Sequence, residues 1–309
     1  MSKVYPLIAI LFILLAAGCV EEEPPELEVA RFATYHDFII SEEGLPALQE
    51  SYGFEFDVVY DLVFGLTHEA LYHGDVDAAM GYATDGKIQE LDLVRLTDDK
   101  SFFSVYNPAP VIRRETLQEH PQIEEIMAAI SAQLDTDTMI NLNYLADIKE
   151  YPHSEIARDW LKQEGFLSGE GQPALDTEPV IIGAKPFTEQ QTLAQITILA
   201  LEHAGIPVED RTDLGDTPQN RNALLTGEIH LYWEYTGTAW WEIFEKEDPL
   251  PDHELYQRIA KKDAENDLVW LEPAPLKDSY AILMQEERAR ELEITTISDL
   301  ALWVNQLQE

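Results

Sequence analysis

From residue 27 onward, short apolar runs alternate with stretches in which apolar residues recur every three or four positions. Residues 29–33, 54–59, 76–81, 180–184 and 228–233 read as strands, each a brief apolar run bounded by turn-forming residues. Residues 46–52, 67–73, 155–164, 190–203 and 219–226 carry helical spacing, with glycines at 53, 74, 165, 205 and 227 as stops. The clearest helix face is Ile123, Ile126, Met127, Ile130 and Leu134, at i, i+3, i+4, i+7 and i+11. Trp160 and Leu161 fall on the inner face of another, and Leu193, Ile196 and Leu199 or Ala200 on that of a third. Such alternation predicts an α/β fold of sheets flanked by helices. Residues 169–179, rich in glycine, proline and acids, break the pattern and read as a linker. No internal repeat relates the two sides.

The chain opens differently. A single Lys3 precedes an apolar stretch, and Leu15-Ala16-Ala17-Gly18-Cys19 follows. A short apolar run between a basic start and small residues reads as a secretory signal, and it falls short of the about 20 residues a bilayer span needs. The small residues before Cys19 resemble the lipobox of bacterial and archaeal lipoproteins, although alanine stands three places before the cysteine where leucine is usual. Residues 1–18 are thus expected as a signal peptide and Cys19 as the lipidated first residue. Residues 19–26, acidic and proline-bearing, form a tether. The competing reading, an uncleaved anchor helix, also leaves the body outside the cytoplasm at a membrane surface.

Charge narrows the classes further. Fifty-nine acidic against 20 basic side chains give a net charge of −39, so a basic face for nucleic acid is excluded. A hydrophobic fraction of 45% sets the chain apart from a disordered acidic segment. With one cysteine, no intrachain disulfide forms.

Two groups of motifs then become specific. Ile182-Gly183-Ala184-Lys185-Pro186-Phe187-Thr188-Glu189-Gln190, with Tyr232-Trp233-Glu234-Tyr235-Thr236-Gly237-Thr238, resembles the opening half of the quaternary-ammonium-binding proteins of ABC importers. The closing half of the same family is resembled by Asp37-Phe38 with Gly44-Leu45-Pro46, by Gly74-Asp75-Val76-Asp77 and by Tyr82-Ala83-Thr84-Asp85-Gly86. Tyr106-Asn107-Pro108-Ala109-Pro110 and Asp137-Thr138-Met139-Ile140-Asn141-Leu142-Asn143-Tyr144 continue it. The order is reversed: residues 27–168 resemble the family's C-terminal half and residues 180–309 its N-terminal half. The resemblance therefore implies a two-lobed periplasmic-binding-protein-like fold of type II, circularly permuted, with the old termini joined through 169–179. Permutation is tolerated where old termini lie close and the new cut falls in an exposed loop. A domain-swapped dimer of half-proteins is the alternative.

What the resemblance implies for the site is a box of tyrosine faces, because a quaternary ammonium has no N–H to donate and is held by cation–π attraction, about 0.5–2 kcal/mol per ring. The matching positions are Tyr82, Tyr106, Tyr235 and Tyr280, with the backbone carbonyl of Asp278 as a further contact. Lys185 and Thr238 match donors to a ligand carboxylate. The family's arginine after the Asp/Glu-Phe pair is replaced by Ser41, which removes a bidentate clamp. The function implied is capture of glycine betaine, or next choline, carnitine or proline betaine, for delivery to an ABC permease and its ATPase in osmoprotective uptake. No enzyme activity and no cofactor are implied. An extracellular sensor module of the same fold is the alternative.

The remaining candidates are weaker. His68 and His73 lie about 140° apart around a helix and are read as two separate, partly exposed residues rather than metal ligands. No nucleophile elbow or phosphate loop is present. The acidity itself reads as a solvated surface suited to high salt, where screening shortens to about 3 Å at 1 M.

Overall fold

The computed structural model describes residues 29–308 apart from 42–43, 64, 105 and 247–249. The expected signal peptide (1–18), Cys19 and the tether (19–26) lie outside the described residues. In chain order the described strands are β1 (Arg31–Thr34), β2 (Val58–Asp61), β3 (Ala78–Tyr82), β4 (Leu93–Arg95), β5 (Pro108–Arg113), β6 (Val180–Gly183), β7 (Val208–Arg211), β8 (Leu231–Tyr235), β9 (Leu268–Trp270) and β10 (Tyr280–Gln285). They build two five-stranded sheets, ordered β2-β1-β3-β10-β4 and β7-β6-β8-β5-β9.

Each sheet is parallel through its first three strands and takes one antiparallel strand from the other side of the chain. β10 runs against β3 and β4, and β5 against β8 and β9. The chain therefore crosses between sheets twice, from β4 into β5 and from β9 back into β10. Two α/β lobes joined by crossover segments result, as expected for the type II binding-protein fold. The lobes are not the sequence halves: one takes β1–β4 and β10, the other β5–β9.

Both faces are covered over the inner strands, which is why β3, β6 and β8 are short apolar runs, whereas the edge strands β2 and β7 are exposed or only partly buried. Side chains alternate across the sheet with period two. In the first lobe Phe32, Met80 and Ile282 join Leu48 and Leu300 on one face, while Ala33, Ala79 and Leu283 join Leu71 on the other. In the second, Ile182, Leu231 and Trp233 pack with Leu193 and Met127, and Val111 and Tyr232 with Leu224 and Ile259.

Two strand starts differ from expectation for identifiable reasons. Phe54 and Phe56, expected within a strand, instead turn inward, and the Phe56 ring stacks on Phe32 at 4.4 Å. Glu228 and Ile229 still belong to the preceding helix end, both donating to the Ala223 carbonyl after Gly227 adopts φ 81. The described C-terminal helix, Ile297–Leu307, starts at a capping box on Thr296 and inserts Ile297, Leu300 and Val304 into the core around Phe32. Its Asn305 amide donates to the Gly53 carbonyl at 3.0 Å. The two ends of the described chain thus share one lobe. Residues 169–179 run along the other lobe, where Gln172 and Leu175 donate backbone N–H groups to His203 and Gly205 carbonyls. Among the described residues no helix is long and apolar enough to cross a membrane.

Candidate functional site

The two antiparallel strand pairs that carry the crossovers end facing each other, and each ends in tyrosines. Tyr82, the last residue of β3, lies directly opposite Tyr280, the first of β10. Neighbouring strand partners on one face lie within ring reach, and here the rings stack at 5.2 Å between centroids and 21° between planes. Tyr82 and Tyr280 are 40% and 37% exposed, unusual for stacked aromatics of this size and expected of rings that line an open cleft. Tyr35, Phe38 and Phe103 pack around Tyr280 at 5.9, 6.4 and 6.4 Å. In the second lobe Tyr235 ends β8, and Tyr106 lies just before Pro108, which pairs with Tyr235 in register. The Tyr106 ring packs on Gly237 so closely that a Cβ there would lie 2.4 Å from it. Only glycine fits beneath that ring.

The crossover itself is braced by Asn107. Its backbone N–H donates to the Thr236 hydroxyl at 3.1 Å, its carbonyl accepts from Thr236 N–H, and its side-chain amide donates to the Leu276 carbonyl at 2.7 Å. Asp278 N–H donates to the Tyr106 carbonyl at 3.1 Å. The two crossover segments are thus hydrogen-bonded to one another beside the tyrosines. Thr238 sits partly buried where the short turn Thr236–Thr238 runs into a π-helical turn, Ala239–Ile243, an element frequent at functional sites.

Behind Tyr235 lies a buried polar cluster. Its hydroxyl donates to Glu189 Oε1 at 2.7 Å, and the Asn143 amide donates to Glu189 Oε2 at 3.3 Å and to the Thr84 carbonyl at 2.8 Å. Thr84 in turn donates to Asp278 Oδ1 at 3.2 Å. Burial pushes the Glu189 carboxyl up, against the opposing hydrogen bonds from Tyr235, Thr84 and Asn143. Asp278 is held well above the usual carboxylate range by burial and by the nearby Glu189. Burial also raises Tyr35, Tyr82, Tyr106 and Tyr235, with neighbouring phenols and carboxylates adding to it, so the rings stay neutral and keep their electron-rich faces.

Lys185 is placed differently from a free carboxylate donor. It is 4% exposed, and its Nζ donates to Glu234 Oε1 at 2.5 Å. Glu234 is itself wholly buried and also accepts from Tyr232 and from the Tyr235 N–H. The ammonium lies 5.2 Å from the Tyr235 ring centroid, on one face of it. Phe187 stacks near the same ring at 6.1 Å. Ser41 closes the helix His36–Ile40 through its backbone N–H to Asp37 O and is exposed. His68, expected partly exposed, is instead fully buried, 3.3 Å from Asp85. Among the described residues no group of His, Cys, Asp and Glu could hold a metal ion.

The family model for the substrate-binding domain of ABC-type glycine betaine transport systems (OpuAC) matches residues 23–163 and 178–307, most of the chain. The chain belongs to this family. Among its relatives, a glycine-betaine-binding protein of Pseudomonas aeruginosa is 37% identical over 132 residues, 43% of this chain and 42% of that protein. The carnitine transport binding protein OpuCC of Listeria monocytogenes is 32% identical over 127 residues, 41% of each chain. A chemotactic signal transduction substrate-binding protein, CosB, of Halobacterium salinarum is 27% identical over 131 residues, 41% of this chain and 39% of that protein. The matched stretch thus spans about two fifths of each relative's length.

Within this family member, sequence reasoning named the tyrosines at both strand-pair ends but not Tyr35, Glu189 or Asn143 as parts of the site. Tyr35 directly follows β1, so a strand-end aromatic was the available signal. Glu189 and Asn143 stand inside the family-like motifs, yet only the fold brings together groups 46 residues apart.

Proposed function

We propose that this chain is an extracytoplasmic solute-binding lipoprotein, anchored through Cys19, that captures a quaternary ammonium osmolyte in a tyrosine cage and hands it to an ABC permease. The observation that carries the reading is the stacked Tyr82–Tyr280 pair at the end of one strand pair, with Tyr106 and Tyr235 at the end of the other and the crossover segments hydrogen-bonded between them. A trimethylammonium group offers only a diffuse positive charge and methyl surface. Neutral ring faces supply attraction to it without demanding a hydrogen bond. The stacked Tyr82–Tyr280 pair forms one wall and Tyr106 and Tyr235 the other, so that hinge closure completes the cage. Bound this way, the ligand is retained and released chemically unchanged.

Glycine betaine and choline differ at the end away from the methyls. Thr238 supports a hydroxyl contact there. Lys185 reaches a ligand carboxylate only by sharing its charge with Glu234, and Ser41 brings no guanidinium. Isothermal titration with glycine betaine, choline and carnitine tests the reading: saturable binding of at least one supports it, and no heat from any quaternary amine overturns it.

The arrangement of the halves forms part of the same proposal. The C-terminal helix packing beside Gly53 and the linker lying along the opposite lobe support an intramolecular, circularly permuted receptor; a stable dimer on size-exclusion chromatography would overturn that arrangement. A second reading, a sensor module presenting the bound ligand to a signalling partner, draws on the CosB likeness. Neighbouring permease and ATPase genes favour transport, and a neighbouring transducer gene favours sensing.

A further inference from the structure

A cavity of about 910 Å³ between the lobes is lined by Tyr280 but by none of the other three tyrosines. Ligand sites span about 300–1,000 Å³ for drug-sized molecules. At about 30 Å³ of liquid per water, this chamber has room for some thirty waters. Before the hinge closure proposed above, glycine betaine or choline, with a handful of heavy atoms, would fill only part of it.

Its lining is aromatic on both sides. Phe102 and Phe103 face it from the first lobe, Trp240 and Trp241 from the second, and Tyr280 belongs to both chamber and cage. The phenylalanine wall is firmly built. The Asp98 carboxylate accepts from the Phe102 and Phe103 N–H groups at 2.9 and 2.8 Å and from the Tyr52 hydroxyl at 2.5 Å. The tryptophans sit on the π-helical turn that directly follows Thr238, so their position is tied to the cage's own loop. Arg95 pairs with Asp137, and the aromatic walls share the lining with Lys277, Asp98 and several hydroxyl side chains.

We propose that the chamber is a tail subsite: the protein takes trimethylammonium compounds carrying an extended apolar or aromatic substituent, with the head at the tyrosines and the tail between Phe102 and the two tryptophans. The inference rests on the cage reading above and extends it to ligand class. A cation whose charge is confined to one end suits both parts. The head takes the ring faces beside the acidic cluster, and the tail gains the burial that a hydroxyl or carboxylate end forgoes.

Titration calorimetry with tetramethylammonium, butyltrimethylammonium, hexyltrimethylammonium and benzyltrimethylammonium tests it, with choline and glycine betaine as head-only controls. Affinity should climb about three- to fourfold per added methylene over the first few carbons. Trp241→Ala should cut binding of the hexyl and benzyl compounds at least tenfold while changing tetramethylammonium less than about twofold. Phe102→Ala, made on the exposed-side phenylalanine, repeats the test should Trp241→Ala fail to fold. Flat or falling affinity with tail length, while choline or glycine betaine binds, overturns the tail subsite and leaves the cage reading standing. Equal losses for tailed and tailless ligands in both variants also overturn it. Absence of binding by every compound overturns both.

Discussion

Tyr235→Phe separates the two jobs assigned to one side chain. The hydroxyl is buried and donates to Glu189 Oε1 at 2.7 Å. Its removal leaves that oxygen without its shortest partner, while Asn143 still serves Oε2 at 3.3 Å. Leaving a buried polar group unsatisfied costs about 1–3 kcal/mol. For a chain of this size each kcal/mol lowers Tm by roughly 2 °C, so thermal unfolding followed by circular dichroism should show a fall of roughly 2–6 °C. The ring face is unchanged in shape and still electron-rich, so the cation–π share of about 0.5–2 kcal/mol persists. Affinity for the tighter-binding of choline and glycine betaine should therefore stay within about threefold, because a tenfold change would need about 1.4 kcal/mol. An unchanged Tm refutes the structural role given to the hydroxyl. A loss of affinity beyond tenfold at unchanged Tm shows that the ligand contacts the hydroxyl and not the ring face.

Further expectations follow from close contacts and buried acids. Gly237→Ala places a methyl 2.4 Å from the Tyr106 ring and must displace it, so quaternary ammonium affinity should drop at least about tenfold with every tyrosine still present, read by calorimetry. Gly86→Ala sets a Cβ 2.6 Å from the Tyr144 backbone nitrogen, where the loop after β3 meets the second lobe's helix Thr136–Asp147; the lobes should then sit further apart, seen as a larger radius of gyration in small-angle scattering. Glu189 has its native pKa raised above its ordinary 4.5, so over the interval above 4.5 the native state holds a proton that the unfolded chain has lost, and stability falls as pH rises through that interval. Glu189→Gln should flatten the decline of Tm as pH rises above 4.5, and an identical decline in both proteins would refute the assignment.

Much of the fold was legible because its signals are local. Apolar runs marked β1, β3, β6 and β8, and glycines in left-handed conformation at 53, 165 and 227 closed the helices where expected. The antiparallel strands β5 and β10 were not assigned from pattern. Their identity as strands depends on partners supplied by the other side of the chain, so no neighbouring sequence announces them. Tyr82, Tyr106, Tyr235 and Tyr280 could be singled out from motifs, since each stands in its own short signature. The pairing of Lys185 with Glu234 could not, because two residues 49 positions apart are brought together by β6 and β8 lying side by side. His68 was misjudged for a related reason. A histidine on a short amphipathic helix reads as half-exposed until β3, whose Gly81 lies against its ring, covers it.

The positions of the tyrosines also bear on why a reversed chain order would be harmless. Tyr82 and Tyr280 meet because β3 pairs with β10, and Tyr235 comes beside Tyr106 because β8 pairs with the start of β5. Both pairings join one strand from each side of the 169–179 linker. The placing of these tyrosines is therefore specified by which strands cross between lobes, and not by where the chain begins. Moving the ends from one lobe to the other alters only connections remote from these strand ends. The polar groups behind the tyrosines obey the same rule: Glu189 and Tyr235 come from one side of the linker, Thr84 and Asn143 from the other. Cutting within 169–179 while rejoining residue 308 to residue 29 by a short loop should therefore preserve quaternary ammonium binding, and loss of binding in such a folded rearranged chain would refute the view that the crossovers define the site.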